Sequence, residues 1–244
     1  MRFVRRLALD SDSHQYLAKR QADVDKMTAS GNPVPEGHWK SSQKANKMGV
    51  VRKALKEMTG PSVRCMYCMD SHGSDIEHFW PKKPFPTRMY LWANLLLCCA
   101  SCQRHKGDRF ALKDGKPMLV DPTVDDPWAH LDFDPQTGKL TARFILAQNM
   151  ASERGIETVA ALHFDFREEL HSQYRKSWKR LTKVAMEFLK SNSLDAKSLV
   201  RELNEADDHG LLGWCVHGAG LNEAPFDSLW KAAPDAFEKL SAAH

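Results

Sequence analysis

The chain has 244 residues, 42% of them hydrophobic and 27% charged, with a formal net charge of +4. This is the composition of an ordinary globular protein, and it excludes a disordered tail, a collagen-like fibre and a spanning helix of roughly 18 apolar residues. The start MRFVRRLALDSD is basic but has no apolar run long enough for a signal peptide, so a cytoplasmic protein with no membrane contact is expected.

The charge is unevenly placed. Residues 1–64 carry a net +7, residues 65–113 a net +3 and residues 114–244 a net −6. A basic first half suits a polyanion and an acidic second half suits a protein, while charge alone favours the plainer reading of two solvated surfaces of opposite sign. Five of the six cysteines fall between Cys65 and Cys102. In a cytoplasmic chain of this size such clustering points to a metal rather than to disulfides.

In chain order, residues 11–29 are predicted to be a helix, with Ser11, Asp12 and Ser13 as possible N-caps. Ser30-Gly31-Asn32-Pro33 breaks it, and a loop is expected as far as Trp39. A second helix is expected over Ser42–Met58, with Val50, Val51, Leu55 and Met58 at helical spacing, stopped by Gly60-Pro61. Residues 62–110 have no clean period and carry short apolar pieces between metal-type residues. Residues 115–140 are rich in Asp and Pro, and Asp134-Pro135 and Thr137-Gly138 predict turns and a short hairpin ending near Phe144 and Leu146. Ser152 and Glu153 open a helix to His163. Asp165 is the expected cap of a long helix carrying Phe166, Leu170, Tyr174, Trp178, Leu181, Ala185 and Phe188 on one face. Asp195 starts a shorter helix, and Pro225-Phe226 leads into a last amphipathic segment ending near Leu240. Three regions follow: a basic helical segment 1–61, a metal-stapled unit 62–113 and an acidic, mostly helical region 114–244.

The central stretch holds two CxxC pairs, Cys65/Cys68 and Cys99/Cys102, separated by 30 residues. Two such knuckles supply four thiolates to one tetrahedral, structural Zn²⁺. Cys98 falls outside the CxxC spacing and is taken as a spare buried residue. Between the knuckles lie Glu77-His78-Phe79-Trp80-Pro81-Lys82 and then Trp92-Ala93-Asn94-Leu95. After the second knuckle comes Gln103-Arg104-His105-Lys106-Gly107-Asp108. Alone, His78 reads as a structural histidine; preceded by Glu77 and lodged between two metal knuckles, it reads as a catalytic base.

This order of acid-His, Asn-Leu and a ligand position after the final Cys resembles the HNH endonuclease superfamily with its ββα-metal fold. The MRFVRR start, the IEHFWPK form, the KGDRF tail and the VDPTVDDPWAHLDFD segment resemble, over roughly residues 1–170, the HNH proteins of the Septu and retron-associated anti-phage systems (the PtuB-like group). The resemblance implies an α+β fold: a ββα-metal unit with the four-cysteine zinc site, flanked by N- and C-terminal helices. It implies a metal-dependent endonuclease of nucleic acid, DNA ahead of RNA, held by an AAA/ABC-like ATPase partner. His78 is then the general base, and Asn94 orients the strand that bears it. Glu77, with Gln103 or His105, holds a catalytic Mg²⁺ or Mn²⁺.

The family's usual His or Asn after the final Cys is replaced here by Gln103. Gln103 and His105 stand about 200° apart on a helix, so both cannot face one metal. Alignment favours Gln103 and ligand chemistry favours His105. Lys82, Lys83, Arg88, Arg104, Lys106 and Arg109 surround the motif and are expected on phosphates. The rival reading is a catalytically inactive, zinc-stapled nucleic-acid-binding or adaptor subunit of an ATPase complex. Near the C-terminus, Leu229, Trp230 and Phe237 are either partner anchors or core.

Overall fold

A computed structural model describes residues 1–191 and 195–243. The chain forms two compact units. One contains Val4–Met66 and Ser71–Phe110, and the other contains Met1–Phe3, Tyr67–Asp70 and residues from Ala111 onward. Among the described residues no helix is long and apolar enough to cross a membrane.

In the first unit, α1 (Ser11–Ala29) is capped by Asp10, whose carboxylate accepts from the Ser13 amide, so the cap lies one residue before the three candidates. Two helices then occupy the region expected to hold a loop and one helix: α2 (Gly37–Ser42) and α3 (Asn46–Met58). A side-chain network explains the break. Ser42 Oγ bonds back to the His38 carbonyl and to Tyr90 Oη, which fixes α2 as a separate turn and draws Trp39 into the interior, 6% exposed. The apolar face of α3 (Met48, Val51, Leu55 and Met58) is buried, and the helix packs on a strand pair.

That pair is β1 (Asp75–His78) against β2 (Leu95–Cys98), antiparallel, with Glu77 opposite Leu96 and His78 opposite Leu95. All four residues of β2 are buried. Gly73, just before β1, lies so close that a Cβ there would meet the Leu97 side chain at 2.6 Å. Helix α4 (Ala100–Lys106) follows β2 directly, so the local order is strand, strand, helix.

The second unit begins with small hairpins: β3 (Leu112–Lys113) with β4 (Lys116–Pro117), β5 (Leu131–Phe133) with β6 (Leu140–Ala142), and β7 (Phe144–Ile145) with β8 (Met150–Ala151). The expected turn at Asp134–Gly138 joins β5 to β6. Asp134 accepts from Gln136 N and Thr137 Oγ1, and Gly138 sits at φ 78° with its Cα against the His171 carbonyl, which no side chain would tolerate. Helices α5 (Glu153–Leu162), α6 (Glu168–Ser191), α7 (Ala196–Ala206), α8 (Leu211–His217), α9 (Phe226–Ala232) and α10 (Pro234–Ala243) complete it.

Ser152 and Asp195 cap α5 and α7 as expected, accepting from Gly155 N and Ser198 N. Phe166 does not join the apolar face of α6. It precedes the helix and is 79% exposed. The C-terminal segment is two helices because Pro234 starts a new one. Leu229 and Trp230 are buried, and the Trp230 indole donates to the Cys215 carbonyl. Both are core residues here and not exposed anchors, and the Trp230 ring lies tilted against those of Phe226 and Phe237.

Candidate active site and metal centre

The four cysteines of the two CxxC pairs come together. Their sulfur atoms all lie within 4.8 Å of one another, and all four residues are buried. Zinc–sulfur bonds of about 2.3 Å in a tetrahedron place sulfurs about 3.8 Å apart, so this donor set fits a structural zinc ion. Local structure builds the first knuckle through the Cys65 amide, which donates to the Ser71 carbonyl, and through the Arg64–His72 bridge. The second knuckle opens α4, where Cys99 is the N-cap and its sulfur accepts from the Cys102 amide. Cys98 stands beside the group, its sulfur 3.8 Å from that of Cys65 and donating to the Cys99 carbonyl. It is a fifth buried thiol outside the four.

His78 ends β1 and is 4% exposed. Its Nε2 lies 3.0 Å from the Met89 carbonyl. A carbonyl can only accept, so Nε2 carries the proton and Nδ1 keeps its lone pair in the neutral ring. The edge of the Trp39 ring packs on the imidazole with centroids 4.3 Å apart. Burial, first, and then the Lys82 charge push the His78 pKa from 6.5 down to about 3, against the opposing bond from Met89. The ring is therefore neutral at any physiological pH.

The turn that supplies the Met89 carbonyl is held from two sides. From α1, Gln21 Nε2 donates to the Pro86 carbonyl and Gln21 Oε1 accepts from the Tyr90 amide. From the residue just before β2, Asn94 Nδ2 donates to the carbonyls of Arg88 and Trp80, while Asn94 Oδ1 accepts from the Trp80 amide. Asn94 thus pins the chain that leaves His78 as well as the turn that fixes its ring. Gln21 and Trp39 have no signal in a motif; only the fold brings them to the histidine.

Glu77, His78 and Gln103 line one cleft of about 380 Å³, together with Asp75, Lys82 and Asp108. His105 does not line it. Two residues apart on α4, Gln103 and His105 point to nearly opposite sides of the helix, so only one of the two faces the cleft, and that one is Gln103. Glu77 is buried and its Oε1 receives the Lys106 ammonium at 2.8 Å; Lys106 also donates to the His78 carbonyl. Lys106, expected on phosphate, is 0% exposed and serves inside the unit, because α4 turns it under the strand pair.

The other expected phosphate cations lie nearer the surface. Lys82 is half-buried at the cleft, and Lys83 is exposed with Glu36 3.7 Å away. Arg88 lies over the Trp80 ring at 4.1 Å, and Arg104 and Arg109 are exposed. For a hard divalent cation the cleft offers the second oxygen of Glu77 and the amide oxygen of Gln103. Mg²⁺ is usually held by one or two carboxylates with waters and substrate phosphate, so Glu77 is a ligand of the right type and Gln103 adds a neutral oxygen donor.

No family model matches the chain. Over 86 residues, 33% of this chain, it is 34% identical to the Septu protein PtuB of Bacillus thuringiensis. The match spans 32% of that protein's length. The chain is therefore similar over about a third of each sequence to a Septu protein, in agreement with the expected resemblance to the PtuB-like group.

Proposed function

We propose that this protein is a metal-dependent HNH endonuclease that hydrolyses phosphodiester bonds of nucleic acid, DNA ahead of RNA, in anti-phage defence. The observation that carries the reading is the His78 imidazole, which is held neutral and protonated on Nε2. Its other nitrogen is left for a proton acceptor role in a cleft it shares with Glu77 and Gln103. Similarity to a Septu protein supports the defence setting.

His78 Nδ1 takes a proton from the attacking water as the oxygen closes on phosphorus. The Nε2–Met89 bond keeps the ring in the tautomer that can do so, and Asn94 keeps the turn in place. Glu77, through Oε2, and Gln103 would hold Mg²⁺ or Mn²⁺. When bound, the cation supplies Lewis-acid polarisation of the phosphoryl group and charge relief at the leaving oxygen. Lys82, Lys83, Arg88, Arg104 and Arg109 provide sequence-independent phosphate affinity. The metal-stapled unit 62–113 would carry the chemistry on the basic segment 1–61. The acidic region 114–244 would dock an ATPase that restrains it.

One observation favours the catalytically inactive reading: the buried Lys106 ammonium already balances Glu77, and the partner ligand is an uncharged amide. Both weaken the pull on a dication. The two readings part in one assay. Purified protein is incubated with plasmid or tRNA, with and without Mg²⁺ or Mn²⁺, beside His78→Ala. Metal-dependent cleavage that falls by roughly 10²–10⁴-fold in His78→Ala supports the nuclease. Binding without cleavage under every metal condition supports the adaptor.

A further inference from the structure

Beside the cleft lies a larger hollow of about 780 Å³, built by the chain between α1 and α2 and by the turn after β1. Pro33, Val34, Pro35, Pro86 and Met89 give it apolar walls. Trp39 and Lys82 line both the hollow and the cleft of His78. Lys82 makes no ion pair among the described residues. Lys83 and Glu36 meet at 3.7 Å on the rim and are both largely exposed, a contact that solvent screens and a ligand can displace.

We infer that this hollow is a nucleobase subsite: it receives the base of a nucleotide next to the phosphate that lies at His78. The inference rests on the nuclease reading and adds to it the form of the substrate. Three observations carry it. The volume falls in the roughly 300–1,000 Å³ range of pockets that enclose small organic groups. The lining combines apolar groups suited to the face of a base (Trp39, Val34, the prolines and Met89) with Lys82 and Lys83, which suit a phosphodiester backbone. The shared walls Trp39 and Lys82 make the hollow and the cleft consecutive stations for one strand. A peptide of similar apolar character lacks the repeating negative charge that Lys82 and the basic surroundings favour. A base that enters such a hollow has left its stack, so the preferred substrate is single-stranded or locally opened nucleic acid.

The test uses the full chain carrying His78→Ala, so that nothing is cut, and fluorescence anisotropy with two labelled 12-mers. One is oligo-dT and the other has the same phosphates with abasic sugars throughout. The protein binds oligo-dT about tenfold tighter than the abasic strand or better, the size expected for one stacked base. Val34→Glu on the same background, checked for an unchanged melting temperature, brings that ratio close to one. The ratio is the readout because a general charge effect acts on both strands alike. Should Val34→Glu fail to fold, Val34→Gln gives the same comparison. Equal binding of the two strands by the unmodified hollow overturns the subsite and leaves the nuclease reading standing. A ratio that survives Val34→Glu also overturns it, since the bases then bind elsewhere. Failure to bind either strand sinks the subsite and the nucleic-acid reading together.

Discussion

The ammonium of Lys106 reaches 2.8 Å from Glu77 Oε1 with neither side chain more than 9% exposed, joining α4 to β1 under the cleft. Buried pairs of this kind gain little over apolar replacements, but the loss of one partner leaves a charge without compensation. Lys106→Ala is therefore expected to lower stability by about 3–5 kcal/mol, measured as the urea midpoint at an unchanged m-value. Lys106→Met with Glu77→Gln should recover most of that. If Lys106→Ala melts like the unmodified protein, the pair has no structural role.

Asn94 makes three side-chain hydrogen bonds, all of them to the backbone at Trp80 and Arg88. Its effect on the histidine is through the turn. Asn94→Ala is expected to leave zinc in place and to cost about 1–3 kcal/mol, the penalty of leaving buried backbone groups unsatisfied. Under the nuclease reading it also lowers turnover. Asn94→Asp keeps the acceptor for the Trp80 amide but loses the two donors, so it should resemble Asn94→Ala more than the unmodified protein. Full stability in both variants would show that the turn holds itself.

The residues that could be read from the sequence share one property: their signal is local. Asp195 and Ser152 sit just before apolar helical periods, and both cap helices. The CxxC spacing brought four cysteines into one group because a knuckle is itself a local structure. Lys106 could not be read this way. In the run Arg104-His105-Lys106 it looks like one more surface cation, and only the packing of α4 beneath Glu77, 29 residues earlier, buries it. Trp39 is in a stretch whose Gly and Pro suggest a loop, and its place on His78 depends on Tyr90 and Ser42 closing α2. Trp230 has the composition of an interface anchor and the surroundings of a core residue, a distinction that needs the partner helices.

The four-cysteine centre gives a prediction about metal rather than activity. Cys65→Ser or Cys102→Ser should yield protein without zinc by elemental analysis, and insoluble or expanded, since structural zinc commonly contributes on the order of 10 kcal/mol to folding in small units. Cys98→Ser and Cys215→Ser should retain one zinc per chain, because neither sulfur belongs to the group of four. Zinc-free protein that remains folded after Cys65→Ser would remove the structural role of the centre.

The His78 environment makes stability depend on pH with a definite sign. The folded-state pKa is about 3 and the unfolded value is 6.5, so between those limits the unfolded chain binds the extra proton. Stability is then fully present above pH 6.5 and is lost progressively as pH falls toward 3. Each pH unit inside that window costs up to about 1.4 kcal/mol from this residue alone. His38 and His130 are also shifted down, chiefly by burial, and add to the same slope. The contribution of His78 is isolated by difference. Melting temperatures of the unmodified protein and of His78→Gln are followed from pH 7.5 to 5.5, where thiolate ligation is least disturbed. The unmodified protein should lose more over that interval, by about 1 kcal/mol. Parallel curves would mean that His78 takes up its proton in the folded state, and with that the account of a base kept neutral by burial fails.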